Sequence, residues 1–127
     1  MDEVDGYAMQ NGVVLILVRD VLGAGLFAAL AEGAALEPAF AFPGERADTA
    51  TERLRPSRVL LECYHPAARS DQFFAVAALH RCRVILFAPA APWVDCEQIA
   101  RSRGVTVFVH PAPGESLAEL VAAALAE

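Results

Sequence analysis

The chain has 127 residues, room for one domain of ordinary size and for no second core. Its net charge of −6 argues against a nucleic-acid partner, and because all ten basic residues are arginine, any mechanism needing a lysine amine is excluded. The hydrophobic fraction is 56%, much of the excess being alanine, yet no apolar run approaches the roughly 18 residues of a membrane span.

The opening MDEVDGYAMQNG is acidic, polar and without periodicity. It reads as a flexible tail over residues 1–12 and as neither a signal nor a transit peptide. The domain is expected over residues 13–127. A first strand, about Val13 to Val18, is apolar at every position, as a central parallel strand covered on both faces should be. The segment from Val21 to Gly33 carries Leu22, Leu26, Phe27 and Leu30 at helical spacing and ends at the glycine. A short second strand is expected at Ala39 to Phe42, closed by the Pro43-Gly44 turn. Glu45 to Arg55 is a polar, weak helix halted by Pro56, and Arg58 to Glu62 reads as strand three. Ser70 is a good N-cap for a helix through Phe73, Val76 and Leu79. Strand four follows at Val84 to Phe87, a short helix near Trp93 to Ser102, and strand five at Val105 to Val109. The last helix, after Pro113-Gly114, has Leu117, Leu120, Val121, Ala124 and Leu125 along one face.

This alternation specifies an α/β domain of (βα)5 type, three layers around a five-stranded parallel sheet. In such sheets ligands and chemistry gather at the carboxyl ends of the strands. Those ends carry Arg19-Asp20, Glu62, Ala88-Pro89 and His110-Pro111.

With this order and these strand ends, the chain resembles a response-regulator receiver domain over about residues 13–127. The resemblance implies the flavodoxin-like sheet order 2-1-3-4-5. Receivers typically carry an acidic pair after strand one and a phosphoaccepting aspartate followed by x-x-Met-Pro after strand three. A Thr or Ser follows strand four, and Lys-Pro follows strand five. Here LILVRD puts Arg19 and Asp20 at the acidic pair, and VLLECYHP puts Glu62 at the phosphoacceptor, His65 at the methionine and Pro66 at its proline. VILFAP puts Ala88 at the hydroxyl position, while GVTVFVHP puts His110 at the lysine and retains Pro111. Phosphoryl transfer needs a metal held by carboxylates, together with a cation and a hydroxyl on the product. The altered positions therefore imply a pseudo-receiver without the phosphoacceptor chemistry.

Each altered residue has a plainer reading. Glu62 is either a solvated strand-end acid or a longer carboxylate paired with Arg19 or His110 in a constitutive, active-like state. Asp20 is a helix-start acid or an arginine partner sooner than a metal ligand, and His65 sits in a surface turn. The resemblance also implies a cis bond at His110-Pro111 and an interaction face of helix four, strand five and helix five. That face would hold Trp93, Val94, Val107 and Phe108, with Val107 where the family's switch aromatic stands.

Gly23-x-Gly25-x-x-Ala28 fits a dinucleotide fingerprint, with Glu45 downstream for a ribose, but four residues separate the strand from its first glycine. Both glycines would lie inside the helix, where small residues permit close packing on the sheet. Cys63, Cys82 and Cys96 form no CxxC pair and read as buried, reduced thiols, Cys63 being the one candidate for an exposed nucleophile. The histidines have no metal-ligand spacing, and no Ser-His-Asp arrangement can be built. The expectation is a cytoplasmic, non-enzymatic signalling domain without cofactor or metal. Its partner would be a sensor or effector protein, or a second copy through the helix 4–strand 5–helix 5 face, with neither nucleic acid nor membrane involved. The alternative is a small-ligand or nucleotide-binding sensor using the strand-end crevice.

Overall fold

A computed structural model describes residues 11–127. Strands β1 (Val13–Leu17), β2 (Glu37–Ala39), β3 (Arg58–Glu62), β4 (Arg83–Phe87) and β5 (Val107–Val109) form one parallel sheet in the order β2-β1-β3-β4-β5. Between and after them lie helices α1 (Val21–Gly33), α2 (Ala47–Leu54), α3 (Asp71–Leu79), α4 (Val94–Arg103) and α5 (Leu117–Ala126), with a 3-10 turn over Pro66–Arg69. This is the expected (βα)5 flavodoxin-like architecture.

The two faces of the sheet follow from the period-two alternation of strand side chains. Leu15, Leu17, Val59, Leu61 and Leu86 point to the layer of α2, α3 and α4, where Phe73 and Ala77 meet them. Val14, Ile16, Leu60, Ile85 and Phe87 point to α1 and α5 and pack on Phe27, Ala31, Val121 and Leu125. Both faces of the central strands are covered, which explains their unbroken apolar runs. Residues 1–10 of the expected tail lie outside the described residues. Asn11 and Gly12 are tied to the sheet: Asn11 Nδ2 donates to the Leu54 carbonyl at 3.1 Å, and the Glu37 N–H donates to that of Gly12 at 2.9 Å.

Ser70 caps α3 as expected, its Oγ accepting the Phe73 N–H at 3.1 Å. Ser70→Ala should lower the unfolding free energy by about 1 kcal/mol, read from the denaturant midpoint. At the far end of the chain, Arg83 Nη1 donates to the carbonyls of Ala124 and Glu127 at 3.1 Å each, supplying donors where α5 runs out of its own.

Several local expectations are corrected. Strand two is Glu37–Ala39 and not 39–42, because β2 is an edge strand paired only with β1, and Phe40 and Phe42 lie beyond it in an exposed loop. Strand five begins at Val107, not Val105, whose N–H closes the end of α4 on the Ala100 carbonyl. α1 ends at Gly33 as expected, with Ala34 as its C-cap and Ala35 at positive φ beyond it. Its packing face is Phe27 and Ala31; Leu22 and Leu26 are exposed. Leu79 is likewise exposed, and α3 packs through Phe73 and Ala77. Gly25 faces open space, so close packing does not explain it. The cis peptide is Ala91-Pro92, not His110-Pro111. Cys63 and Cys96 are not reduced thiols: they form a disulfide, leaving Cys82 free. No helix among the described residues is long and apolar enough to cross a membrane.

Candidate functional site

β1 and β3 are neighbours at the centre of the sheet, and the chain leaves them in opposite senses, toward β2 from one and toward β4 from the other. The crevice at their carboxyl ends is the switch point at which open α/β sheets collect ligands. Glu62 ends β3 there and is only 5% exposed. A buried carboxylate needs compensation, and Arg19 supplies it. Glu62 Oε1 accepts the Arg19 backbone N–H at 2.9 Å, and Oε2 accepts Arg19 Nε at 3.1 Å. The Arg19 guanidinium also lies over the Tyr64 ring, 5.2 Å from its centroid, a cation–π arrangement that holds it at the strand end.

The other sequence-derived site residues divide. Asp20 is the N-cap of α1, accepting the Gly23 N–H at 2.6 Å. A Cβ at Gly23 would come within 3.3 Å of the Asp20 carboxylate, so this glycine serves the cap. Ala88 is fully buried, and its N–H donates to the Val109 carbonyl. His110 does not pair with Glu62. Its ring stacks on Trp93, with centroids 4.1 Å apart, and on Phe108 at 5.2 Å. Pro111, next in the chain, is half-buried. Of the residues assigned to an interaction face, Val94 is exposed, Trp93 and Phe108 gather around His110, and Val107 turns to the layer of α1 and α5. Glu45 is unavailable to a ribose: Arg53 binds both its oxygens, at 2.7 and 2.9 Å, and the Phe42 N–H donates to one of them.

His65 opens the 3-10 turn, its Nδ1 accepting the Ala67 N–H at 3.0 Å. Burial lowers its pKa below the ordinary 6.5; Glu62 opposes that shift and Arg19 reinforces it. The unfolded chain therefore binds more protons between the lowered value and 6.5, and stability rises with pH across that window. His65→Asn keeps a capping oxygen and removes the titration. The difference in urea midpoint between pH 5 and pH 7.5 should shrink in that variant relative to the parent.

Beside Glu62, on the α1 side of the sheet, lies a groove of about 320 Å³. Leu22, Leu26, Phe27, Phe87 and Leu117 form its apolar wall, and Asp20 and Glu62 also line it. No group of three or more metal-ligating side chains occurs among the described residues. On the other side, the Cys63–Cys96 disulfide joins the residue after Glu62 to the first turn of α4 across a Cα separation of 5.6 Å. Sequence reading missed the disulfide and the apolar wall of the groove. With the cysteines 33 positions apart, no local spacing marks the pair, and the groove arises because Leu22 and Leu26 escape the core.

No protein-family model and no curated protein sequence matches the chain. Among solved structures it is similar to NtrX from Brucella abortus, with a TM-score of 0.64 and 19% identity over 88% of this chain and 25% of that one. The chain thus spans about a quarter of that protein's length. The likeness establishes the fold, a flavodoxin-like α/β domain with sheet order 2-1-3-4-5.

Proposed function

We propose that this chain is an atypical receiver domain of the two-component signalling type, working by protein–protein contact and without phosphorylation. The observation that carries this reading is the Glu62–Arg19 pair. The carboxylate at the position matching a receiver's phosphoacceptor has both oxygens engaged by Arg19 and is nearly inaccessible. A nucleophile so occupied is poorly available, and the guanidinium beside it stands where an acidic metal ligand would be needed. Ala88 offers no hydroxyl and His110 is taken up in the stack with Trp93, so nothing replaces the missing lysine. In this reading the chain is no enzyme, and it acts in the cytoplasm on a sensor or effector protein. The surface of α4, β5 and α5 is the contact face, for that partner or for a second copy of the chain, with exposed Val94 at its edge.

Intact mass after incubation with acetyl phosphate and Mg²⁺ tests the reading. No phosphoryl adduct is expected on the parent chain. An adduct on it would overturn the phosphorylation-independent role and restore a conventional phosphorelay one.

A further inference from the structure

The groove beside Glu62 has a lining whose chemistry selects its occupant. Its walls are apolar: Leu22, Leu26, Phe27, Phe87 and Leu117. At about 320 Å³ it reaches the small end of the range typical of small-molecule sites, roughly 300–1,000 Å³. Leu22 stands 87% and Leu26 47% exposed on its rim, apolar surface that an occupant would remove from water. Among the described residues, the charged groups lining it are two carboxylates, Asp20 and Glu62. No arginine or histidine among the described residues lines it, and the nearest site cation, Arg19, is engaged with Glu62 and Tyr64.

A nucleotide or any other phosphate would meet like charge in this groove with no donor to offset it. A cation on an apolar body would meet the opposite. Glu62 is nearly buried and its charge is met by Arg19, whereas Asp20 is exposed and holds the Gly23 N–H on Oδ1, out of the about four donors a carboxylate accepts. Capacity for an ammonium remains.

We propose that the α1–α5 groove at the strand ends binds a small hydrophobic amine, its ring or chain against Leu22, Leu26 and Phe87 and its ammonium at the exposed Asp20 carboxylate. This goes beyond the signalling reading and stands whether or not the chain is phosphorylated.

The test is an amide NMR titration with three isosteric probes: 2-phenylethylammonium, 2-phenylethanol and phenylacetate. Saturable shifts confined to the start of α1, the Pro89 loop and the start of α5 are expected for the ammonium. The alcohol should bind about tenfold more weakly, since it lacks the charge-assisted hydrogen bond, and the carboxylate not detectably. Two variants separate the contributions without disturbing the fold. Asp20→Asn keeps the N-cap and removes a charge, and should reduce the preference for ammonium over alcohol several-fold. Leu26→Gln, at a half-exposed helix position, should weaken the ammonium and the alcohol alike. Shifts that never saturate, equal affinity for ammonium and alcohol, or unchanged binding in Leu26→Gln would each overturn the proposal.

Discussion

Replacing Cys63 and Cys96 together with alanine should remove roughly 3–4 kcal/mol of stability, a large part of what a domain of this size possesses. The disulfide closes a loop between residues separated by 33 positions, and on the chain-entropy account its main action is to restrict the unfolded ensemble. Both cysteines are fully buried, so alanine is the suitable replacement: a serine hydroxyl would need a partner neither site provides. Urea unfolding of the parent chain with and without reductant, alongside the double variant, measures the effect. The oxidised parent should unfold at a distinctly higher midpoint, the reduced parent should fall close to the double variant, and the double variant should ignore the reductant. Thiol titration of the denatured, unreduced chain should find Cys82 alone. In the native chain that thiol is half-buried, its pKa pushed up to about 11 by burial, so it should react slowly. Three reactive thiols in the unreduced protein would remove the premise. The bond also bears on the site. It ties the first turn of α4, next to Trp93 and Val94, to the residue beside Glu62, so reduction should loosen the α4 end of the proposed contact face.

The sheet was legible because its signal is redundant. VVLIL, RVLLE and RVILF are apolar on both faces, and the helices after the first two have their own start signals, Asp20 and Ser70. The edges were less legible. β2 and β5 have three residues each and one neighbour, so pairing and not pattern decides where they begin, and of AFAF only Ala39 is in the strand while Phe40 to Phe42 lie in the loop beyond it. Helix existence was readable while helix orientation was not: Leu22 and Phe27 look equivalent by spacing, yet only Phe27 is buried, its ring tilted against Phe87 with centroids 4.8 Å apart. At the site, the strand-end positions placed Arg19, Asp20 and Glu62 in one neighbourhood. Which of them pair required geometry. His110 was an equal candidate partner for Glu62 until the Trp93 stack claimed it. The disulfide was out of reach for another reason, since long-range proximity of Cys63 and Cys96 is a product of the completed fold and leaves no trace in local spacing.

Glu62→Ala should cost roughly 2–3 kcal/mol, and Arg19→Ala about 1 kcal/mol. The asymmetry follows from what each truncation leaves behind. Without Glu62, the Arg19 backbone N–H loses its acceptor, the guanidinium loses its carboxylate, and a nearly buried site is left with a void. Without the Arg19 side chain, the backbone N–H still donates to Oε1, and the neighbouring groove admits water to Oε2. The Arg19 side chain is itself 56% exposed, so solvent already screens its pairing. The double variant should then cost little more than Glu62→Ala alone, because a freed Arg19 is simply solvated. Non-additivity of about 1 kcal/mol in a double-mutant cycle would report the coupling. A solvated strand-end acid would behave otherwise, with Glu62→Ala within about 0.5 kcal/mol of the parent and the two changes additive. The same residue sets the limits of any restored chemistry. Glu62→Asp shortens the side chain and should release Arg19, yet the aspartate still lacks the second acid, the hydroxyl and the lysine, and acetyl phosphate should leave this variant unmodified too.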